Sequence, residues 1–172
     1  MLVLKFGLLV ILLLIFYQDL RFQAVSWIFF LLGFLINFFL AVKSVPFSDI
    51  LLNMVIIVLF IFFQLAIIYL FSWVKFKKRI NIFSSVFGLG DLLFLIMILP
   101  VFSPLNFILF FIVSLVFTLL VFVALKGFNL LKIKKVPLAG LQSLFLFLVI
   151  LSQIFIKFSF YNDYYILQYF VK

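Results

Sequence analysis

The sequence predicts an all-α, polytopic integral membrane protein with about six transmembrane helices, both termini outside, and one membrane-embedded domain over residues 1–172. Three observations carry this reading. First, 70% of the residues are hydrophobic and 10% are charged, with 30 phenylalanines; a water-soluble domain of this length needs many more polar residues to cover its surface. Second, apolar runs of about 18 residues or more recur along nearly the whole chain, the length a helix needs to cross a bilayer. Third, positive charge alternates from loop to loop. The first, third and fifth loops carry Arg21, then Lys75, Lys77, Lys78 and Arg79, then Lys126, Lys132, Lys134 and Lys135. The remaining four basic residues, Lys5, Lys43, Lys157 and Lys172, fall on the other side. Positive residues gather in cytoplasmic loops, which sets the orientation.

The runs follow in order. Leu2–Tyr17 is the first, closed by the polar patch Gln18-Asp19-Leu20-Arg21; no small-residue cleavage site follows it, so it reads as a retained helix and not as a signal peptide. Val25–Val42 is the second and ends before Pro46. Ile50–Val74 is the third, followed by the densest cationic cluster of the chain, Lys75–Arg79, which reads as a topology anchor at the lipid surface. The fourth, about Ser84–Phe102, contains Gly88-Leu89-Gly90-Asp91 and stops before Pro104. Leu105–Leu125 and Val136–Ile156 are the fifth and sixth, and an amphipathic tail whose tyrosines suit a membrane interface completes the chain.

Composition also removes chemistry. There is no cysteine, no histidine and no glutamate. A thiolate nucleophile, a serine–histidine triad and a histidine- or cysteine-built metal site are all excluded within the chain, so neither a metal nor a cofactor is expected. Ionic chemistry is left to four aspartates, the lysines and arginines, and tyrosine. The net charge of +9 belongs to membrane-facing loops; no basic segment is long enough for a nucleic-acid-binding domain.

Two aspartates stand out. Asp19 closes the first run. Asp91 lies inside the fourth, because a helix begun just after it would keep only Leu92–Phe102, too short to span at about 1.5 Å per residue. A carboxylate drawn below the headgroups is turned toward the protein interior or a water-filled cavity. The orientation puts Asp19 and Asp91 toward the same, cytoplasmic face, and Asp49 and Asp163 toward the other. Gly88 shares a helical face with Asp91, and both Gly88 and Gly90 leave room beside the carboxylate and tolerate local unwinding. Taken alone, such glycines more often serve helix packing; the adjacent aspartate turns the reading toward a site.

Phe87-Gly88-Leu89-Gly90-Asp91 resembles the Gly-x-Gly-Asp signature of intramembrane aspartyl proteases, a group that includes type IV prepilin and preflagellin peptidases. Tyr17-Gln18-Asp19-Leu20-Arg21 is similar to the other half of the prepilin-peptidase pattern, and Lys135-Val136-Pro137-Leu138-Ala139 to the family's entry into its last helix. The chain departs from that pattern at Ala24-Val25-Ser26 and at Leu93, where relatives carry proline with asparagine, and lysine. The resemblance implies an aspartic endopeptidase with Asp19 and Asp91 as the catalytic pair and Gly88 and Gly90 as motif glycines. It further implies a membrane-anchored prepilin-like precursor as partner and the bacterial cytoplasmic membrane as location. The cysteine-rich region of the bifunctional enzymes is missing, so N-methylation is not implied. In such a pair, two carboxylates share a proton, one activating water and the other donating to the scissile carbonyl. Two other expectations compete: a cation- or proton-coupled transporter using the same aspartates, and a noncatalytic scaffold relative.

Overall fold

The computed structural model describes residues 1–76, 88–127, 136–153 and 159–163. Six α-helices occur among them: α1 (Leu2–Phe22), α2 (Trp27–Val42), α3 (Phe47–Phe76), α4 (Leu89–Ile98), α5 (Pro104–Gly127) and α6 (Leu138–Ser152). A 3-10 turn, Leu99–Val101, extends α4, and no strand occurs among the described residues. Each of the chain's four prolines stands where a missing N–H is harmless. Pro46 precedes α3, Pro100 lies in the 3-10 turn, Pro104 opens α5 and Pro137 is the N-cap of α6.

Leu2–Phe22, Phe47–Phe71 and Pro104–Gly127 are long and apolar enough to cross a membrane, while α2, α4 with its 3-10 turn, and α6 are shorter. The outward surface fits: Leu59, Phe62, Phe63, Leu119 and Leu120 are each more than 60% exposed, a cost in water and none against lipid chains. The described residues are helical apart from short turns, and the molecule is a membrane protein. Most expected runs reappear with ends shifted by a few residues. Residues 84–87 of the fourth run and 154–156 of the sixth lie outside the described residues, as do Lys77, Lys78, Arg79, Lys132, Lys134, Lys135, Lys157 and Lys172.

The shortest helix occupies the middle. With its 3-10 turn, α4 is about 21 Å long, against a hydrocarbon core of about 30 Å. Much of its surface is covered by protein, though Leu89 and Ile96 stay exposed. It packs on α2 and α6, and its 3-10 turn packs on α2 and α3; Phe94, Leu95, Met97 and Ile98 are buried. Gly33 of α2 makes this approach possible, since a Cβ there would lie 2.4 Å from Met97 Sδ. Asn37, one helical turn further on, donates to the Met97 carbonyl at 3.0 Å. An interhelical bond of this kind holds register where hydrophobic burial gives little driving force. On the outer ring α1 packs against α2 and α6, and α5 against α6 and α3.

At the end of the bundle where α5 begins, the tail folds back. Asp163 accepts from the Asn106 N–H at 3.2 Å and from the Leu105 N–H at 3.5 Å, two of the unpaired donors of the first turn of α5. The Ser103 hydroxyl also donates to it. The Asn106 amide bridges to the carbonyls of Phe160 and Asn162 at 3.3 and 3.1 Å. Asp163 is thus a helix cap supplied from a distance. Asp163→Ala is expected to lower stability by about 1–2 kcal/mol, read as a drop in the thermal unfolding midpoint in detergent.

One buried group stands out in α5. The Thr118 hydroxyl is fully enclosed and has no hydrogen-bond partner among the described residues, whereas Ser114, one turn earlier, accepts from Gln142 of α6 at 3.3 Å. An unpaired buried hydroxyl is destabilising. Thr118→Val is therefore expected to raise stability by about 1 kcal/mol, measured by the same unfolding midpoint.

Candidate active site

The stripe that α1 buries runs Leu8, Leu12, Ile15, Asp19, the i, i+4, i+7, i+11 spacing of one helical face. Asp19 is its last member, so the packing that seats the leucines also turns this carboxylate inward; it is 9% exposed. The helix ends three residues later. Gln23 takes a left-handed conformation with φ 51°, and its N–H returns to the Asp19 carbonyl at 3.0 Å. The Ser26 N–H donates to the Gln18 side chain at 3.0 Å and tightens the turn into α2. Arg21 points away and donates to the Tyr17 hydroxyl on the same helix.

Asp91 is the third residue of α4. Gly88, the N-cap, is extended, and its N–H donates to Asp91 Oδ2 at 3.2 Å, which is the acid's half of a capping box. A Cβ at Gly88 would meet Asp91 Oδ2 at 3.0 Å, whereas one at Gly90 would meet nothing within 4 Å.

The two carboxylates meet at a third element. α6 starts at Leu138, and the N–H groups of its first turn have no partners within the helix. Ala139 N–H donates to Asp91 Oδ1 at 2.8 Å, and Gly140 N–H, the next along the chain, donates to Asp19 Oδ2 at 2.6 Å. Residues 72 positions apart in sequence are thus held side by side by consecutive amides, at a helix end whose dipole favours negative charge. They are close enough to interact electrostatically. Among the described residues no lysine or arginine pairs with either, and no cluster of metal-ligating side chains is present.

Gly140 sets the spacing. A Cβ there would lie 2.8 Å from Asp19 Cβ and 3.0 Å from Asp19 Oδ2, so any larger residue pushes the carboxylate off its donor. Below it, the Ser143 hydroxyl donates to the Leu12 carbonyl at 3.2 Å and to the Gly140 carbonyl at 2.6 Å, which locks α6 against α1. Gln142 is buried, and its amide nitrogen is turned to Ser114 of α5.

Asp19 and Asp91 therefore lie together at one end of the bundle. Asp49, exposed in the first turn of α3 beside Ser48, and Asp163 lie at the other. The sequence singled out both carboxylates, both motif glycines and, in the entry to the last run, Ala139, but not Gly140, whose amide stands next to that of Ala139. Comparison of the chain with protein-family models, with curated proteins and with solved structures finds no match.

Proposed function

We propose that the protein is an intramembrane aspartic endopeptidase that removes the leader from type IV prepilin-like precursors at the cytoplasmic face of the bacterial cytoplasmic membrane. The observation that carries the reading is the convergence of Asp19 and Asp91 on the consecutive amides of Ala139 and Gly140. In this reading the two carboxylates act as one titrating pair that carries a single proton, the state that peptide hydrolysis requires.

In the proposed reaction the ionised carboxylate takes a proton from water as the water oxygen bonds to the scissile carbonyl carbon. The neutral carboxyl donates its proton to the carbonyl oxygen, giving a tetrahedral diol. The proton taken from water then passes to the amide nitrogen, the C–N bond breaks, and a diol hydroxyl returns its proton to the other carboxylate. The two halves of the pair play unequal parts at rest. Asp91 has both oxygens engaged by backbone N–H groups, while no donor among the described residues reaches Oδ1 of Asp19. That oxygen is where a water would sit.

The orientation belongs to the same proposal: six spans, both termini outside, and the carboxylates at the cytoplasmic end. Arg21 and Lys126 close α1 and α5 at the end that holds the pair, in keeping with positive residues on the cytoplasmic side. The substrate would be a membrane-anchored precursor with a short cytoplasmic leader and a hydrophobic helix, whose junction meets a site near the membrane surface.

A specific observation also favours a noncatalytic scaffold. Both carboxylates cap α6, and a buried helix end needs caps whether or not chemistry follows. The experiment that separates the two readings is co-expression with a prepilin-like precursor and mass measurement of the product. The peptidase reading expects the precursor to lose its leader in the presence of wild-type protein and to keep it with Asp19→Asn or Asp91→Asn. The scaffold reading expects no cleavage by wild type.

A further inference from the structure

At the end of the bundle away from the carboxylates lies a cavity of about 420 Å³, within the size range of small-ligand sites, roughly 300–1,000 Å³. It is enclosed by the first turns of α1, the last turns of α2 and α6, the 3-10 turn and the tail. Leu8 and Ile150 give it an apolar wall; Lys5, Asn37, Ser44 and Tyr161 give it a polar one. Tyr161 is hydrogen-bonded to Ser44, and burial pushes its hydroxyl above the usual tyrosine range, so it stays a neutral donor.

The charge at this site is unbalanced. Lys5 is half-buried one turn into α1, Met1 lines the cavity with it, and among the described residues no carboxylate does. The four aspartates are all committed elsewhere: Asp19 and Asp91 to α6, Asp163 to α5, and Asp49 to the exposed start of α3. An anion in the cavity would pair with this cation in a charge-assisted contact. Donors for that anion are present. An amide nitrogen carries two hydrogens, and Asn37, which lines the cavity, uses one of its own on the Met97 carbonyl.

We propose that this cavity binds the headgroup phosphate of an anionic phospholipid such as phosphatidylglycerol, with Lys5 as its counter-ion. The cavity opens at the ends of membrane-crossing helices, where headgroups are concentrated, and its apolar wall suits the glycerol and upper acyl carbons. A zwitterionic lipid fits worse, because its ammonium would find no carboxylate partner. The inference rests on membrane embedding alone and is independent of proteolysis.

The test is native mass spectrometry of the full-length protein in detergent, titrated with phosphatidylglycerol and with phosphatidylcholine of the same acyl chains. Wild type is expected to hold one phosphatidylglycerol about ten-fold more tightly than phosphatidylcholine, the worth of one charge-assisted contact. Lys5→Gln is expected to remove that preference. Lys43→Gln, which removes a charge from an exposed residue at the same end but outside the cavity, is expected to keep it. Equal retention of the two lipids by wild type would overturn the proposal. So would an unchanged preference in Lys5→Gln, or an equal loss in Lys43→Gln, which would mean general attraction to a basic protein. Displacement of the bound lipid by equimolar inorganic phosphate would also overturn it, since the site would then be one for free anions.

Discussion

Gly140→Ala is expected to cut precursor cleavage by about 10²-fold or more, the scale on which misplacing a reacting group by about 1 Å acts. The added Cβ would lie 2.8 Å from Asp19 Cβ, inside van der Waals contact, and both sides of the clash are stiff. Asp19 is fixed by the helical stripe that ends α1, and Gly140 by the bond from Ser143 to the Leu12 carbonyl. Something must shift, and the 2.6 Å bond from the Gly140 N–H to Asp19 is what the shift breaks. Overpacking of this kind costs about 1–3 kcal/mol of stability, so protein abundance is to be measured alongside cleavage. Gly90→Ala is the contrast. It alters the sequence motif more visibly, yet its Cβ would meet nothing within 4 Å, and cleavage is expected to remain within about two-fold of wild type, as for ordinary surface substitutions of under 0.5 kcal/mol.

The second large effect is on the carboxylates themselves. Asp19→Asn or Asp91→Asn is expected to lower cleavage by about 10²–10⁴-fold, the usual contribution of a positioned acid or base. The substitution separates chemistry from architecture. In Asp19→Asn the amide carbonyl still accepts from the Gly140 N–H, so the cap on α6 survives while the shared proton is lost. Asp91→Asn keeps one of its two backbone bonds and turns its NH2 toward the N–H of the other, so protein abundance is measured alongside cleavage. The two losses are not expected to add in the double variant, because the pair acts as a unit. Were the aspartates only caps, wild type and both variants alike would leave the precursor uncut.

Much of this arrangement was legible in the sequence. The six apolar runs became six helices because lipid-exposed helices are written in length and hydropathy, and the prolines marked their ends. Asp91 was visible as the acid beside two glycines in the fourth run; the helical length expected ahead of it is not found, since α4 begins only two residues before Asp91 and with its 3-10 turn is still about 21 Å long. Asp19 was visible as the charge closing the first run, and the spacing Leu8, Leu12, Ile15, Asp19 already puts it on one face. The meeting of the two was not legible from the residues alone. It depends on α6 presenting its first turn to both helices, which is a tertiary fact. Gly140 carries no local signature, since its role is the absence of a side chain 121 residues from its partner. The cap that Asp163 supplies to α5 was hidden for the same reason: it comes from a tail 57 residues beyond Asn106. The motif glycines have modest contacts here. Gly88 lends its N–H to Asp91, and Gly90 faces open space.

The most direct test of the account is the cleavage rate of a prepilin-like precursor in membranes containing equal amounts of wild type, Asp19→Asn, Asp91→Asn or Asp163→Asn. The account expects leader removal by wild type and by Asp163→Asn, whose carboxylate lies at the far end of the bundle, and no measurable removal by the other two. Undiminished cleavage by either Asp19→Asn or Asp91→Asn would contradict it.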